Sequence, residues 1–286
     1  MKTVTVGLVQ MQCTADVSAN QARAETRIRE TAQQGARIIC LQELFSTLYF
    51  CQQEDYRQFE LAESVPGPTT QRFSRLAAEL GVVLVVPLFE RAAAGVYFNS
   101  AVVLDADGRM AGHYRKMHIP DDPGFEEKFY FSPGDLGFAA FDTRHGRVAV
   151  LICWDQWFPE AARLAAMDGA EVLFYPTAIG WHPDRPEEGQ AYHDAWQISM
   201  RGHAVANGLY VAAVNRTGRE GDLSFWGQSF VADPLGRLIV QGPRDAEACL
   251  VVPCDLGSIE AVRQEWPFFR DRRPEAYAGL QRRFGR

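Results

Sequence analysis

Four times along the chain, an amphipathic stretch with helical spacing runs into a glycine and then into a short apolar, β-branched run. Asn20 to Gln34 precedes Gly35 and the strand-like run from Ala36 to Leu41, and Thr69 to Leu80 precedes Gly81 and the run from Val82 to Val86. Pro159 to Asp168 precedes Gly169 and the run from Ala170 to Tyr175, and a last helix ending near Asn207 passes through Gly208 into Leu209 to Val214. A glycine just past a helix end adopts the left-handed conformation without a Cβ penalty, so it marks the stop. Apolar runs of about 5–6 residues after such a stop are typical of buried strands. Two units lie before residue 100 and two after residue 158, which predicts two similar halves.

Further strands are expected at Phe98 to Leu104 and Val148 to Cys153. Asp105-Ala106-Asp107-Gly108 suits a hairpin between Phe98–Leu104 and Arg109–Tyr114, and Asp233-Pro234-Leu235-Gly236 makes a similar turn before Leu238–Val240. No linker rich in Pro, Gly or Ser separates the halves. The pattern therefore predicts one α/β domain over residues 1–286, two sheets with helices outside, a four-layer α-β-β-α sandwich.

Composition narrows the function classes. Of 286 residues, 47% are hydrophobic and 23% charged, enough apolar surface for a sizeable core. The net charge of −7 leaves no basic footprint for nucleic acid. No apolar run approaches the ~18 residues of a membrane helix, and the first residues carry no signal-peptide pattern, so a cytoplasmic location is expected. Six scattered cysteines without C-x-x-C argue against a disulfide framework or a zinc ribbon. The patterns G-x-S-x-G, G-x-x-x-x-G-K-[ST] and G-x-G-x-x-G are absent, which disfavours serine hydrolases, P-loop proteins and dinucleotide enzymes.

Three residues stand out by their setting. Cys153 ends the apolar strand Arg147–Ile152 and precedes a turn and Pro159, so its thiol faces a helix N-terminus that lowers a thiol pKa and holds an oxyanion. A buried core cysteine fits the same place. Glu43 follows Ile38–Leu41 and precedes Leu44-Phe45; a carboxylate in such a stretch is either paired or functional, and burial moves it toward the range of a general base. Lys116, in His113-Tyr114-Arg115-Lys116-Met117-His118-Ile119-Pro120, can hold an oxyanion or carboxylate as a point charge, though most such lysines are solvated. The two histidines of that segment lack companions at metal spacing, so no metal is expected.

Together, Leu41-Gln42-Glu43-Leu44-Phe45, the segment Tyr114 to Pro120, and Ile152-Cys153-Trp154-Asp155-Gln156-Trp157-Phe158-Pro159-Glu160 resemble the nitrilase (carbon–nitrogen hydrolase) superfamily over essentially the whole chain. The resemblance implies an α-β-β-α sandwich, a Glu43–Lys116–Cys153 triad, no cofactor, and a homo-oligomer of dimers or larger. Within the superfamily the chain is most similar to the N-carbamoylputrescine amidases, in Pro123 to Phe131, Phe174 to Gly180 and Phe269 to Pro274. That likeness implies a small N-carbamoyl amine as substrate and Glu127 as a second glutamate orienting Lys116. It also implies that the Trp154 N–H holds the oxyanion and that Tyr49, Thr177 and Ala178 lie near substrate.

For a cationic tail, Asp121, Asp122 and Asp155 are the candidate partners; a carboxylate-bearing substrate such as N-carbamoyl-β-alanine calls instead for an arginine. Residues 266–286, with Trp266, Phe268 and Phe269, are expected at a subunit contact. Phe45-Ser46-Thr47, Trp181-His182-Pro183 and Phe225-Trp226-Gly227 depart from the subfamily pattern. A catalytically idle scaffold of the same fold is the competing class.

Overall fold

The computed structural model describes residues 2–284, apart from the side chains of residues 186 and 187. The first half contains β1 (Thr3–Gln10), α1 (Val17–Gln33), β2 (Ile38–Leu41), α2 (Pro68–Leu80), β3 (Val83–Ala93), β4 (Val96–Leu104), β5 (Met110–Arg115) and the single turn α3 (Glu127–Tyr130). The second half begins with β6 (Ala140–Thr143), β7 (Gly146–Val150), α4 (Pro159–Met167), β8 (Val172–Thr177), β9 (Gly180–Trp181), α5 (Pro186–Asn207) and β10 (Tyr210–Asn215). It continues through β11 (Thr217–Glu220), β12 (Leu223–Trp226), β13 (Phe230–Ala232), β14 (Leu238–Gln241), β15 (Ala248–Asp255) and α6 (Gly257–Glu265).

Two six-stranded sheets carry the fold, in the orders β15-β1-β2-β3-β4-β5 and β14-β13-β10-β8-β7-β6. In each, three central strands are parallel (β1, β2, β3 and β7, β8, β10) and are linked through helices. The flanking strands are antiparallel, including both expected hairpins, β4–β5 and β13–β14. Gly35, Gly81, Gly169 and Gly208 end their helices at φ of 100, 66, 90 and 54°, as the helix–glycine–strand pattern requires.

The layering follows from the two-residue period of the strands. Ile38 and Cys40 of β2 enter the core between the sheets, with Val148, Val150, Val172 and Phe174 on the facing side of the second sheet. Ile39 and Leu41 point the other way and meet Ile28 of α1 and Phe73 and Leu76 of α2. On the far side of the second sheet, Ala162 and Ala165 of α4 and Trp196 and Met200 of α5 close the fourth layer. The arrangement is the α-β-β-α sandwich.

Strand β15 was not anticipated by the sequence pattern. It pairs antiparallel with β1 along all eight residues, from Thr3↔Asp255 to Gln10↔Ala248, and so closes the first sheet with chain from the far end. The small sheet β11-β12-β9 was also unforeseen; it stands over the carboxyl ends of the main strands.

Candidate active site

The carboxyl ends of parallel strands leave outward-facing positions that suit a binding crevice. Five segments deliver side chains there: Glu43 after β2, Lys116 after β5, Cys153 after β7, Ala178 after β8 and Arg216 after β10. Glu43, Lys116 and Glu127 have no solvent exposure, and Cys153 is buried. Lys116 Nζ donates to Glu43 Oε1 at 2.9 Å and to Glu127 Oε2 at 2.6 Å. Asn99 Nδ2 also donates to Glu43 Oε1, at 2.7 Å, and Tyr49 OH donates to Glu127 Oε1 at 2.8 Å. Among the described residues Glu43 Oε2 has no hydrogen-bond partner. One ammonium therefore sits between two carboxylates, with one carboxylate oxygen left over.

Electrostatics follow from that count. Burial works against the charge of Lys116, but Glu127 and Glu43 outweigh it and hold its pKa well above the ordinary lysine value. Glu127 is pushed up to about 7, chiefly by burial, with Lys116 pulling it down and Glu43 pushing it up. The Cys153 thiol lies well above its usual value, because burial and the Glu43 charge together exceed the pull of Lys116. This corrects the expectation of a thiol acidified by a helix N-terminus. Desolvation and a neighbouring carboxylate overcome the partial charge of a short 3-10 turn, Cys153–Trp157.

Local backbone geometry aims these groups. Cys153 has φ 43° and Leu44, directly after Glu43, has φ 48°, both in the left-handed region at a cost of roughly 1–2 kcal/mol each. The bend at Cys153 is held by Asp155, whose Oδ2 accepts from Ile152 N at 2.8 Å in the manner of half a capping box. Sγ of Cys153 lies 4.0 Å from the carbonyl oxygen of Ala178. Trp154 N–H is in the first turn of the 3-10 helix, where donors have no partner within the helix.

A cavity of about 800 Å³ opens onto Cys153 and Trp154, walled by apolar residues including Phe125, Trp157, Ile179 and Trp181. Among the described residues, three carboxylates line it, Asp122, Asp184 and Glu188, against one guanidinium, Arg185, which is 3.7 Å from Glu188.

The model of the carbon-nitrogen hydrolase family matches residues 5–264. The chain belongs to that family. It is a hydrolase acting on carbon–nitrogen bonds of amides. Over 286 aligned residues it is 48% identical to an N-carbamoylputrescine amidase of Solanum lycopersicum, covering 97% of this chain and 94% of that one. It is 42% identical to a citrullinase of Francisella tularensis, covering 99% and 100% respectively. The crystal structure of a carbon-nitrogen hydrolase from Helicobacter pylori G27 superposes with a TM-score of 0.95 at 43% identity, over 99% of each chain.

Within this family framework, the structure brings Glu43, Lys116, Glu127 and Cys153 together and separates several other candidates from the cavity. Asp155 is fully buried and its carboxylate is saturated: besides Ile152 N it accepts from Tyr114 OH at 2.7 Å and from His118 N at 3.0 Å, and it pairs with His118 Nδ1 at 2.7 Å. It has no oxygen left for a ligand's amine. Asp121, itself exposed, lies 3.8 Å from Lys128 of α3, while its neighbour Asp122 lines the cavity.

Tyr49 is walled in by Phe125 and Phe225 and reaches the site only through Glu127. Thr177 donates to Tyr175 O at 3.0 Å, and Ala178 presents its carbonyl. Asn99 was missed, although an amide inside the apolar run Phe98–Leu104 is itself a signal. Asp184, Glu188 and Arg185 were missed because nothing in their spacing ties them to Cys153.

Cys13 takes no part in this cluster. Its thiol donates to Phe45 O at 3.1 Å, and burial pushes it up to about 11. Among the described residues, no group of three or more His, Cys, Asp or Glu is placed to hold a metal ion, and no helix is long and apolar enough to cross a membrane.

Proposed function

We propose that this protein hydrolyses N-carbamoylputrescine to putrescine, carbon dioxide and ammonia, with Cys153 as nucleophile and Glu43 as general base. Glu43 Oε2, the unpartnered oxygen, takes the thiol proton as Sγ attacks the carbamoyl carbon. Lys116 Nζ and the Trp154 N–H hold the oxygen that becomes negative. The tetrahedral species collapses by breaking the bond to the terminal nitrogen, which leaves as ammonia with the proton from Glu43, and a thiocarbamate remains on Cys153. Water, deprotonated by Glu43, then attacks the same carbon; the C–S bond breaks, Glu43 returns its proton to the sulfur, and the released carbamate loses carbon dioxide to give the amine. Glu127 anchors Lys116 by accepting from its Nζ at 2.6 Å.

The observation that carries the choice of substrate is the charge of the cavity wall, three carboxylates with one guanidinium among the described residues, which favours a cationic tail over an anionic one. The 48% identity to an N-carbamoylputrescine amidase supports the same choice. A second reading rests on Arg185 beside Glu188: the two together match the carboxylate and ammonium of an α-amino acid, so a ureido amino acid such as citrulline is the competing substrate.

Ammonia release from N-carbamoylputrescine, citrulline and N-carbamoyl-β-alanine, compared at equal concentration with Cys153→Ala as blank, decides among them. Preference for the first is expected. Preference for N-carbamoyl-β-alanine would overturn the electrostatic argument, and release by the Cys153→Ala protein would overturn the covalent route.

We further infer a homo-oligomer in the cytoplasm, with the tail 266–286 at the subunit contact. Trp266, Phe268 and Leu280 stand exposed there, and sedimentation of a protein truncated after Glu265 tests the contact.

A further inference from the structure

Among the described residues, Arg216 is the largest charged side chain with no solvent exposure, and its hydrogen bonds reach none of the reacting groups. It follows β10 directly and reaches across to the first sheet. One terminal nitrogen donates to Thr47 O at 2.9 Å and to both oxygens of Glu220 at 2.8 Å. The other donates to Glu43 O at 3.1 Å and Leu44 O at 2.8 Å. Glu220 in turn accepts from Tyr49 N at 2.6 Å. The segment from Glu43 to Tyr49 is thus gripped at both ends by one ion pair. That segment supplies Glu43, contains the left-handed bend at Leu44, and ends at the tyrosine whose hydroxyl holds Glu127. The preceding residue, Asn215, secures the opposite wall: its amide exchanges hydrogen bonds with Ile179 N and Ile179 O, each at 3.0 Å, next to the Ala178 carbonyl that faces Sγ.

We propose that Arg216, paired with Glu220, is a positioning residue that fixes the aim of Glu43 toward Cys153 and of Tyr49 toward Glu127. Left-handed backbone at a leucine persists only where surroundings hold it, and three consecutive-segment carbonyls converging on one guanidinium supply that hold. A planar fork with several donors can meet three carbonyls and a carboxylate together; a lysine, as a point charge, cannot. Displacements of about 1 Å in a catalytic group cost on the order of 100-fold in rate.

This inference rests on the proposed roles of Glu43 and Cys153, and its test separates the two. The variants are Arg216→Lys and the double variant Arg216→Met/Glu220→Gln; the latter removes both buried charges together and so leaves neither unpaired. With whichever ureido substrate the parent protein turns over best, kcat should fall about 100-fold while KM stays within about threefold, and the acid limb of the pH profile should move. A substrate-free readout runs alongside: the rate of Cys153 alkylation by iodoacetamide, followed by peptide mass, with Glu43→Gln as reference. Both variants should approach the Glu43→Gln rate.

A folded double variant with the parent kcat, pH profile and alkylation rate overturns the role of Arg216. Equal melting losses without a change in alkylation do the same, since they mark a purely structural arginine. A parent protein inactive on every ureido substrate overturns the function reading instead, while the alkylation comparison still decides that of Arg216.

Discussion

Asp155→Asn separates two readings of one residue: an acid that binds the substrate's amine, and a bolt that joins the lysine segment to the cysteine bend. The wild-type carboxylate receives two main-chain donors on different oxygens, Ile152 N on Oδ2 and His118 N on Oδ1. An asparagine offers one oxygen and one NH2 in their place. Tyr114 OH can rotate, and His118 can change tautomer, but a backbone N–H cannot become an acceptor. Whichever way the amide is turned, one main-chain donor faces another.

A buried donor left without a partner costs about 1–3 kcal/mol, and the remaining hydrogen bonds lose their charge-assisted strength. About 3 kcal/mol of destabilisation follows, a fall in Tm of roughly 6–12 °C for a domain of this size. Because Ile152 immediately precedes the left-handed Cys153, kcat should drop with it. Thermal melts and steady-state ammonia release on the same preparation measure both. A protein with the parent Tm and kcat but a raised KM for N-carbamoylputrescine would refute the reasoning and return Asp155 to the substrate site.

Other outcomes follow from the same geometry. Glu188→Gln and Asp122→Asn each remove a cavity carboxylate and should raise KM for N-carbamoylputrescine several-fold, about 1 kcal/mol each, leaving kcat near the parent value; an unchanged KM in the double variant would place the tail elsewhere. Glu127 titrates at about 7 in the folded protein and near 4.5 when unfolded, so the native state binds the extra proton between these values and loses stability as pH rises through them, by about 3 kcal/mol in total. Glu127→Gln should abolish that slope in urea titrations between pH 5 and pH 8 while Lys116 keeps Glu43 as partner; an unchanged slope would mean that Glu127 is ionised throughout. Iodoacetamide should label Cys153 slowly at pH 7 and faster as pH rises, since the resting thiol is held well above its usual pKa; rapid labelling at neutral pH would reveal a thiolate–lysinium pair instead.

What could be read along the chain was what local chemistry determines. The four helix–glycine–strand units were legible because a left-handed stop needs glycine and a strand buried on both faces needs β-branched residues, and both leave marks within a dozen positions. The hairpin through Asp105 to Gly108 was legible for the same reason. Pairing of β15 with β1 was not, because it joins residues about as far apart in the chain as the fold allows, and either strand alone is an ordinary alternating run.

In the site, a carboxylate, a lysine and a cysteine at strand ends could be singled out by their apolar settings. The role of Asp155 could not, since its partners are mostly main-chain donors and hydroxyls that no residue pattern announces. Arg216 was hidden in plainer fashion: an arginine after a strand reads as solvated, and only the carbonyls of a distant segment show otherwise.

The reacting groups come from both sheets, Glu43 and Lys116 from one and Cys153 and the Ala178 carbonyl from the other. Neither half of the chain, isolated, owns a nucleophile together with its base. Turnover is therefore a gauge of how the two sheets are seated on one another. A slip between them of an ångström or two, too small to expose the interior or melt a single strand, silences the chemistry first.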